Sequence, residues 1–352
     1  MADWTMPMEQ TFEYYMVDPG TWKDVKLINT VTSSSIVRDL ETDTLGSASI
    51  DLTENIGEVY LRIYLVTVQN GVRERFPLGT YLIQTQSSKF NGRHTSVSFD
   101  GYTPLIELKE NPPPLGYYVP KDENVMAQGY RLASEHARAP VVKTESDAKV
   151  FRDFVANTDD TWITFISDLI ANAKFYFDLD EMGRILFAPK QDTASLQPVW
   201  TFDDSNSSIL YPELTYEQDL YGIPNVVEVN YADEHDKYFA RVVNDDENSI
   251  ISTVNRGREI LHRVNNPEFS GVPTQAMVDE YAQRLLRELS TIQSTVTYTH
   301  GYCPVRIGDC VRLNYERAGM TDIKARVIRQ SIKCEQGCPV SETAVFTKKL
   351  WR

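Results

Sequence analysis

The sequence predicts a β-rich α+β protein of several domains. Two small β-barrel or sandwich domains flank a small α+β insertion, and one long helix precedes a final hairpin. Three observations predict this. Period-two apolar alternation recurs at roughly ten-residue spacing early and late in the chain, as small sandwiches and barrels show. Turn residues, Asn-Gly above all, separate those segments. Helical periodicity is confined to the middle of the chain and to one stretch after Pro273. A length of 352 residues supports two or three domains at about 150 residues each. Hydrophobic residues at 41% supply enough apolar surface for packed cores, and too much for a disordered chain.

Residues 1–112 read as the first β-barrel domain, completed by 201–222. Residues 22–30 alternate loosely, and Ala48-Ser-Ile-Asp-Leu-Thr53 alternates cleanly. Residues 58–68, 76–86 and 93–99 continue the series. The turns fall at Glu54-Asn-Ile-Gly57, Gln69-Asn-Gly71 and Phe90-Asn-Gly92. Asn-Gly accepts positive φ at both central positions, which a two-residue hairpin requires.

Asn111-Pro-Pro-Pro114 removes three backbone donors and stiffens the chain, so it reads as a domain edge. The insertion, 113–200, mixes element types. A weak helical pattern over 124–139 ends at Pro140, and 151–156 reads as a short strand. Residues 161–173 make the stronger helix. Trp162, Phe165, Ile166, Leu169, Ile170 and Ala173 share one face, and Asp159, Asp160 and Thr161 offer caps. Residues 174–188 form two apolar strands around Asp180-Glu-Met-Gly183.

Residues 223–352 read as the second β-barrel domain. Strands are expected at 223–231 and 238–243, then a helix over 274–293. Its stripe is Val278, Tyr281, Ala282, Leu285, Leu289 and Ile292, with acids early and Arg284 and Arg287 late, as the helix dipole prefers. Strands at 295–302, 310–315, 323–333 and 340–347 finish the chain, with a hairpin around Ala318-Gly319.

Lys and Arg number 35 against 50 Asp and Glu, giving a net charge of 35 − 50 = −15. Phosphate-backbone affinity rests on basic residues releasing counterions, so this balance argues against a nucleic-acid binder unless basic residues gather on one face. No such cluster is evident, and the longest basic patch is Lys348-Lys349 with Arg352. Repulsion would instead let DNA pass without sticking. No apolar run of about 18 residues appears, so no membrane span is expected. The N-terminus lacks the basic and apolar regions of a signal peptide, which points to folding in a cytoplasm.

Asp178-Leu-Asp180-Glu-Met-Gly183 resembles a calcium loop only at first glance. Met182 stands at a ligand position, and Pro189 stands where the closing glutamate is needed, so a hairpin turn is the better reading. His94, His136, His235, His262 and His300 are scattered, with no zinc-protease spacing. Nucleophile-elbow, dinucleotide and phosphate-loop patterns are absent. Choosing two carboxylates among 50 as a hydrolytic pair would be arbitrary. Asn206-Ser-Ser208 matches a glycosylation acceptor, by chance in a chain without a secretion signal. The four cysteines are clustered: Cys303, Cys310, Cys334 and Cys338. A hairpin around Gly319 would return Cys334 and Cys338 beside Cys303, with Cys310 able to join. Two readings stand. One is a structural zinc or iron–sulfur site, favoured by a reducing cytoplasm. The other is a set of small buried hydrophobes.

Three places resemble the baseplate or tail-tip hub proteins of tailed bacteriophages. The first is Leu78-Gly-Thr-Tyr-Leu-Ile-Gln84 followed by Ser96-Val-Ser-Phe-Asp-Gly-Tyr-Thr-Pro-Leu105. The second is helix 161–173 running into Phe175-Tyr-Phe-Asp-Leu-Asp-Glu-Met-Gly-Arg-Ile-Leu186. The third is helix 278–292 followed by Cys303-Pro-Val-Arg-Ile-Gly-Asp309 and a hairpin. The cysteines lie outside the general hub pattern and fit a subgroup of tail-tip relatives that holds an iron–sulfur cluster. The resemblance implies a structural protein of the virion tail, not an enzyme, assembled in the host cytoplasm. Such hubs are homotrimers whose two barrels per subunit make a pseudo-hexameric ring. That ring joins the hexameric tail tube to a threefold spike or fibre. The implied partners are its own copies, the tail tube protein, distal tail and baseplate proteins, the spike or fibre protein and the tape measure protein. The alternatives are a tail-associated cell-wall hydrolase and a carbohydrate- or receptor-binding β-module.

Overall fold

A computed structural model of the chain describes residues 2–90, 92–93, 95–233, 236–269 and 272–351. His94, His235 and Asn91 of the third expected turn lie outside the described residues, as does Arg352 of the basic patch. The chain divides into two compact units. One comprises residues up to 214 together with 297–344, and the other comprises 215–296 with 345 onward. The expected boundaries at 112/113, 200/201 and 222/223 do not coincide with that division.

The first unit is built on a broad sheet. Its early strands are Glu9–Asp18, Lys23–Leu27, Val31–Asp39, Gly46–Leu52, Val59–Gln69, Val72–Phe90 and Thr95–Tyr102. Within the hairpin of Val59–Gln69 and Val72–Phe90, Asn70 and Gly71 take φ of 51° and 76°. Both central turn residues are thus left-handed, as the Asn-Gly dipeptide predicts. Val59–Gln69 is buried along most of its length, because both faces are covered. Leu61, Ile63 and Leu65 enter a core with Ile36, Ile50, Phe99, Ile332 and Val340. Tyr60 faces the other way, into a core with Trp22, Leu82, Val125, Met126, Trp162, Phe165 and Ile166.

That second core explains why the insertion is not a separate body. Helices Val125–His136 and Trp162–Ala171 pack on the sheet, the second through the apolar stripe seen in the sequence and the first through Val125, Met126, Leu132 and Ala133. Asn124 caps the first, its side chain accepting from the Ala127 amide. Thr161 and Thr164 form a reciprocal capping box on the second. The hairpin Phe175–Leu179 and Ile185–Pro189 follows, turning at Gly183 with φ of 74°.

The late strands join the early ones. Cys310–Tyr315 and Met320–Lys333 pair as a hairpin turning at Gly319, and Trp200–Asp203 runs parallel to the former. Met320–Lys333 also pairs with Val31–Asp39, from Arg329 opposite Asp39 to Lys333 opposite Ser35. Strands Leu210–Gln218, Thr291–Gly301 and Pro339–Lys349 contribute their portions within 210–214, 297–301 and 339–344 to this unit. The sheet therefore runs continuously from late to early strands, and no closed barrel forms among the described residues. The two separate barrels expected from the sequence are corrected to this shared sheet. The physical reason is that Ile36 and Ile50 need Ile332 and Val340 to complete their core.

The second unit holds a three-stranded sheet with Val226–Ala232 at its centre, antiparallel to Lys237–Val243 and parallel to Leu261–Asn265. Helix Gln275–Leu289 lays Val278, Ala282 and Leu286 on Val227, Val229 and Ala240. The helix was expected to reach residue 293 but stops at Leu289. Thr291, Ile292, Thr295 and Val296 are β-branched and extend instead into the strand Thr291–Gly301. Among the described residues no helix is long and apolar enough to cross a membrane.

Candidate functional site

The four thiols do not converge. Cys303, Cys310 and Cys338 are buried and Cys334 is half-buried, all four unpaired. Among the described residues no three His, Cys, Asp or Glu side chains are grouped so as to hold a metal ion, so the residues present do not fit the expected zinc or iron–sulfur site. The hairpin is unequal, which separates them. Cys310 lies opposite Arg326, and Cys334 stands eight residues further on, just past the end of that strand at Lys333. At about 3.3 Å per residue, that places Cys334 about 26 Å along the strand from Cys310's partner. Cys338 packs in the core with Ile36 and Ile332, with Cys334 at its margin. Burial pushes the Cys303, Cys310 and Cys338 thiols up, and Cys334 to about 11.

Cys303 instead joins a buried polar row that composition did not reveal. Its Sγ lies 3.8 Å from His300 Nδ1. The same Nδ1 lies 2.6 Å from the Gly301 carbonyl, which can only accept, so Nδ1 carries a proton and points it there. His300 Nε2 stands 3.3 Å from Glu342 Oε1, without the alignment of a hydrogen bond. Tyr298 donates to Glu342 Oε2 at 2.6 Å, and Gln330 Nε2 donates to Oε1 at 2.5 Å and to the Val305 carbonyl at 2.9 Å. Arg38 closes the row, donating to Gln330 Oε1 at 3.1 Å and to the Leu78 carbonyl at 2.6 Å. His300 and Glu342 are fully buried.

A thiol, an imidazole and a carboxyl group in sequence suggest nucleophilic catalysis. The geometry opposes it. The imidazole nitrogen nearest the thiol is protonated and committed to a carbonyl, so it cannot take the thiol's proton. Burial holds the thiol neutral, and no polymer reaches it. What the row does is join Val31–Asp39, Thr291–Gly301, Met320–Lys333 and Pro339–Lys349 by side chains as well as by backbone.

A second charged cluster fixes the insertion hairpin. Arg306 Nε lies 2.6 Å from Glu181 Oε1, and its guanidinium also reaches the Leu179 carbonyl and Asp178. Arg62, 1% exposed, donates to Thr80, to Asp24 at 2.6 Å and to the Met182 carbonyl at 3.0 Å. Trp22 Nε1 donates to that same carbonyl at 2.7 Å. A small cavity of about 40 Å³ lies among Arg38, Thr80, Asp178, Glu181 and Arg306, room for a few waters. Burial lifts the Asp178 and Asp309 carboxyls above their ordinary value. The calcium-like motif is therefore a hairpin turn whose acids pair with arginines.

The family described as putative phage tail protein matches residues 153–329. In fold the chain is similar to the tail protein from Neisseria meningitidis MC58, at 15% identity and a TM-score of 0.62, over 97% of this chain and 98% of that one. It is similar to the 43 kDa tail protein of prophage MuSo2 from Shewanella oneidensis, at 12% identity and 0.60, over 96% and 98%. It is also similar to a chain of the Francisella PdpA-VgrG complex in its lidded form, at 8% and 0.54, over 96% of this chain and 53% of that one. No curated protein matches the sequence.

Proposed function

The chain belongs to the family of putative phage tail proteins, and from that premise we propose that it is a structural hub of a phage tail or tail-like particle. In this reading three copies form a ring that joins a hexameric tail tube to a threefold spike or fibre. The observation that supports it best is the match of residues 153–329 to the phage tail family, together with a fold similar to two tail proteins, one of them from a prophage, over 96–98% of each chain. The early and late strands form one continuous sheet, joined where Val31–Asp39 meets Met320–Lys333, so the ring reading does not rest on two separate barrels in each copy. The partners are the chain's own copies, the tube, the spike or fibre, neighbouring baseplate proteins and the tape measure protein. A net charge of −15 lets DNA pass the ring without adhering.

Native mass spectrometry of the purified protein, alone and with tail tube protein, tests the reading. The expected species is three times the 40.2 kDa chain mass, seen as a ring by electron microscopy. A monomer that persists at high concentration and ignores the tube protein overturns it.

A further inference from the structure

We propose that Cys334 and Cys338 form a reversible disulfide across the turn that joins Met320–Lys333 to Pro339–Lys349, open in a reducing compartment and closed in an oxidising one. The two strands are neighbours in the sheet and are linked by residues 334–338 alone, so they run antiparallel. Their register follows from the side chains. Gln330 Nε2 donates to Glu342 Oε1 at 2.5 Å. Two residues further along each strand, Ile332 and Val340 share one core. Two more bring Cys334 opposite Cys338 on that same face, since side chains alternate with a period of two. Cys338 belongs to that core and Cys334 packs against it. Residues directly opposite in an antiparallel pair have Cα atoms about 4.5–5.5 Å apart, inside the range of about 4.4–6.8 Å that a disulfide spans.

The turn fixes both residues. The Cys338 amide donates to the Glu335 carbonyl at 2.9 Å, closing a tight turn over Gln336 and Gly337. The Cys334 amide donates to the Ser34 carbonyl at 3.0 Å, which ties it to Val31–Asp39. Gly337 takes φ of 86° and Cys338 takes φ of 40°. Left-handed backbone is uncommon for a residue with a Cβ, and such strain gathers where the direction of a side chain matters. Burial and then the neighbouring Cys334 push the Cys338 thiol up, so the two thiols lie within electrostatic reach of each other. The plain alternative is a pair of small buried hydrophobes, as Cys303 and Cys310 are. It accounts for Cys338 in the core. It leaves unexplained a second cysteine directly opposite, half-buried beside the exposed Glu335, Gln336 and Gly337.

The exposed side of the turn gives an oxidant its way in, and a low-molecular-weight disulfide such as glutathione disulfide supplies the oxidising equivalents. The Cys334 thiol loses its proton to water, and the thiolate attacks one sulfur of glutathione disulfide. A bond forms between Cys334 and that sulfur, and one glutathione thiolate leaves. Cys338 then loses its proton and attacks the Cys334 sulfur, which forms the protein disulfide and expels the second glutathione. Two protein thiols are thereby oxidised, and one glutathione disulfide is reduced to two glutathione molecules. Burial holds the Cys334 thiol at about 11, so the step is slow at neutral pH and quickens in mild alkali. The closed bond staples the start of Pro339–Lys349 to the residue that follows the seam with Val31–Asp39. A glutathione-rich cytoplasm keeps both thiols reduced, and an oxidising medium lets them join.

The test incubates the full, folded chain with glutathione disulfide in mild alkali, quenches with acid, labels free thiols with N-ethylmaleimide in denaturant and digests with trypsin. Cleavage after Lys333 and Lys348 places both cysteines in one peptide, Cys334–Lys348, and leaves Cys303 and Cys310 in others. The expected result is that peptide without label and about 2 Da lighter than its reduced form, the mass of two hydrogens. It forms at least tenfold faster than any adduct on Cys303 or Cys310, and dithiothreitol reverses it. In Cys338→Ser the expected product is a glutathione adduct on Cys334 that persists, because the resolving thiol is gone. Wild type carries the test, so it stands even where that variant does not fold. Persistence of the adduct in wild type, labelling of both cysteines, or a disulfide that links two copies overturns the proposal. Monomer and ring alike can close the bond, so the outcome is independent of the ring reading.

Discussion

Replacing Glu342 with leucine tests whether the buried polar row holds the sheet together. Glu342 accepts from the Tyr298 hydroxyl and the Gln330 amide, and all three side chains are buried. Leucine leaves those two donors without an acceptor, although Gln330 keeps its bond to Val305. An orphaned buried donor costs about 1–3 kcal/mol, so E342L should lose about 2–6 kcal/mol. The sharper outcome is a change of sign. In wild type, Y298F removes a donor that Glu342 needs and should cost about 1–3 kcal/mol. In the E342L background it removes an orphaned hydroxyl and should return a similar amount. Thermal unfolding followed by circular dichroism reads this, since 1 kcal/mol moves Tm by about 2–4 °C for domains of about 150–250 residues. Equal losses from Y298F in both backgrounds would refute the reasoning, because they would show that the tyrosine and the carboxyl group act independently.

Further outcomes follow from single positions. Gly183→Ala should destabilise by about 1–3 kcal/mol, because a left-handed φ is strained for alanine and its Cβ would sit 2.7 Å from Thr80 Cβ; urea unfolding measures it. Thr161→Ala should cost about 0.5–2 kcal/mol through loss of the cap on Trp162–Ala171, read the same way. Iodoacetamide labelling followed by mass spectrometry should modify Cys334 well before the three fully buried thiols. Stability should also fall in mild alkali. Unfolded thiols ionise near 9.0 while the folded ones, raised by burial, stay protonated, so their contribution is complete below pH 9 and is lost as pH rises. For Cys334 the window is 9.0 to about 11. The slope is at most about 1.4 kcal/mol per pH unit for each thiol, and a flat denaturation profile from pH 9 to 10.5 would contradict it.

Much of the fold was legible where one local signal sufficed. Asn70-Gly71 dictated its turn, Thr161 its cap, and the stripe of Trp162, Phe165, Ile166, Leu169 and Ile170 its buried face. The strands Glu9–Asp18 and Val31–Asp39 escaped the reading for different reasons. In the first, Phe12, Tyr14, Tyr15 and Met16 carry a β-favouring signal that was there to be used. The second opens with Thr32-Ser-Ser-Ser35, which looks like a loop, and only pairing on both sides makes it a strand. Pairing partners almost 300 residues apart leave no mark in local periodicity, so the shared sheet could not be seen. The cysteines misled because their closeness in sequence was taken for closeness in space, while a strand of fourteen residues carried them apart. The row of Tyr298, His300, Gln330 and Glu342 gave one faint hint. Tyr298 and His300 alternate on a strand with Val296, at positions where apolar residues belong.

The seam between Val31–Asp39 and Met320–Lys333 has a consequence for biosynthesis. A ribosome adding about 5–20 residues per second needs about 15–60 s to travel from one to the other. Throughout that interval the nascent polypeptide displays an unzipped ribbon margin bearing Ile36, with nothing to cover it. The polysome is therefore where this molecule is most exposed to wrong pairing with its neighbours, and where a holding chaperone would matter most.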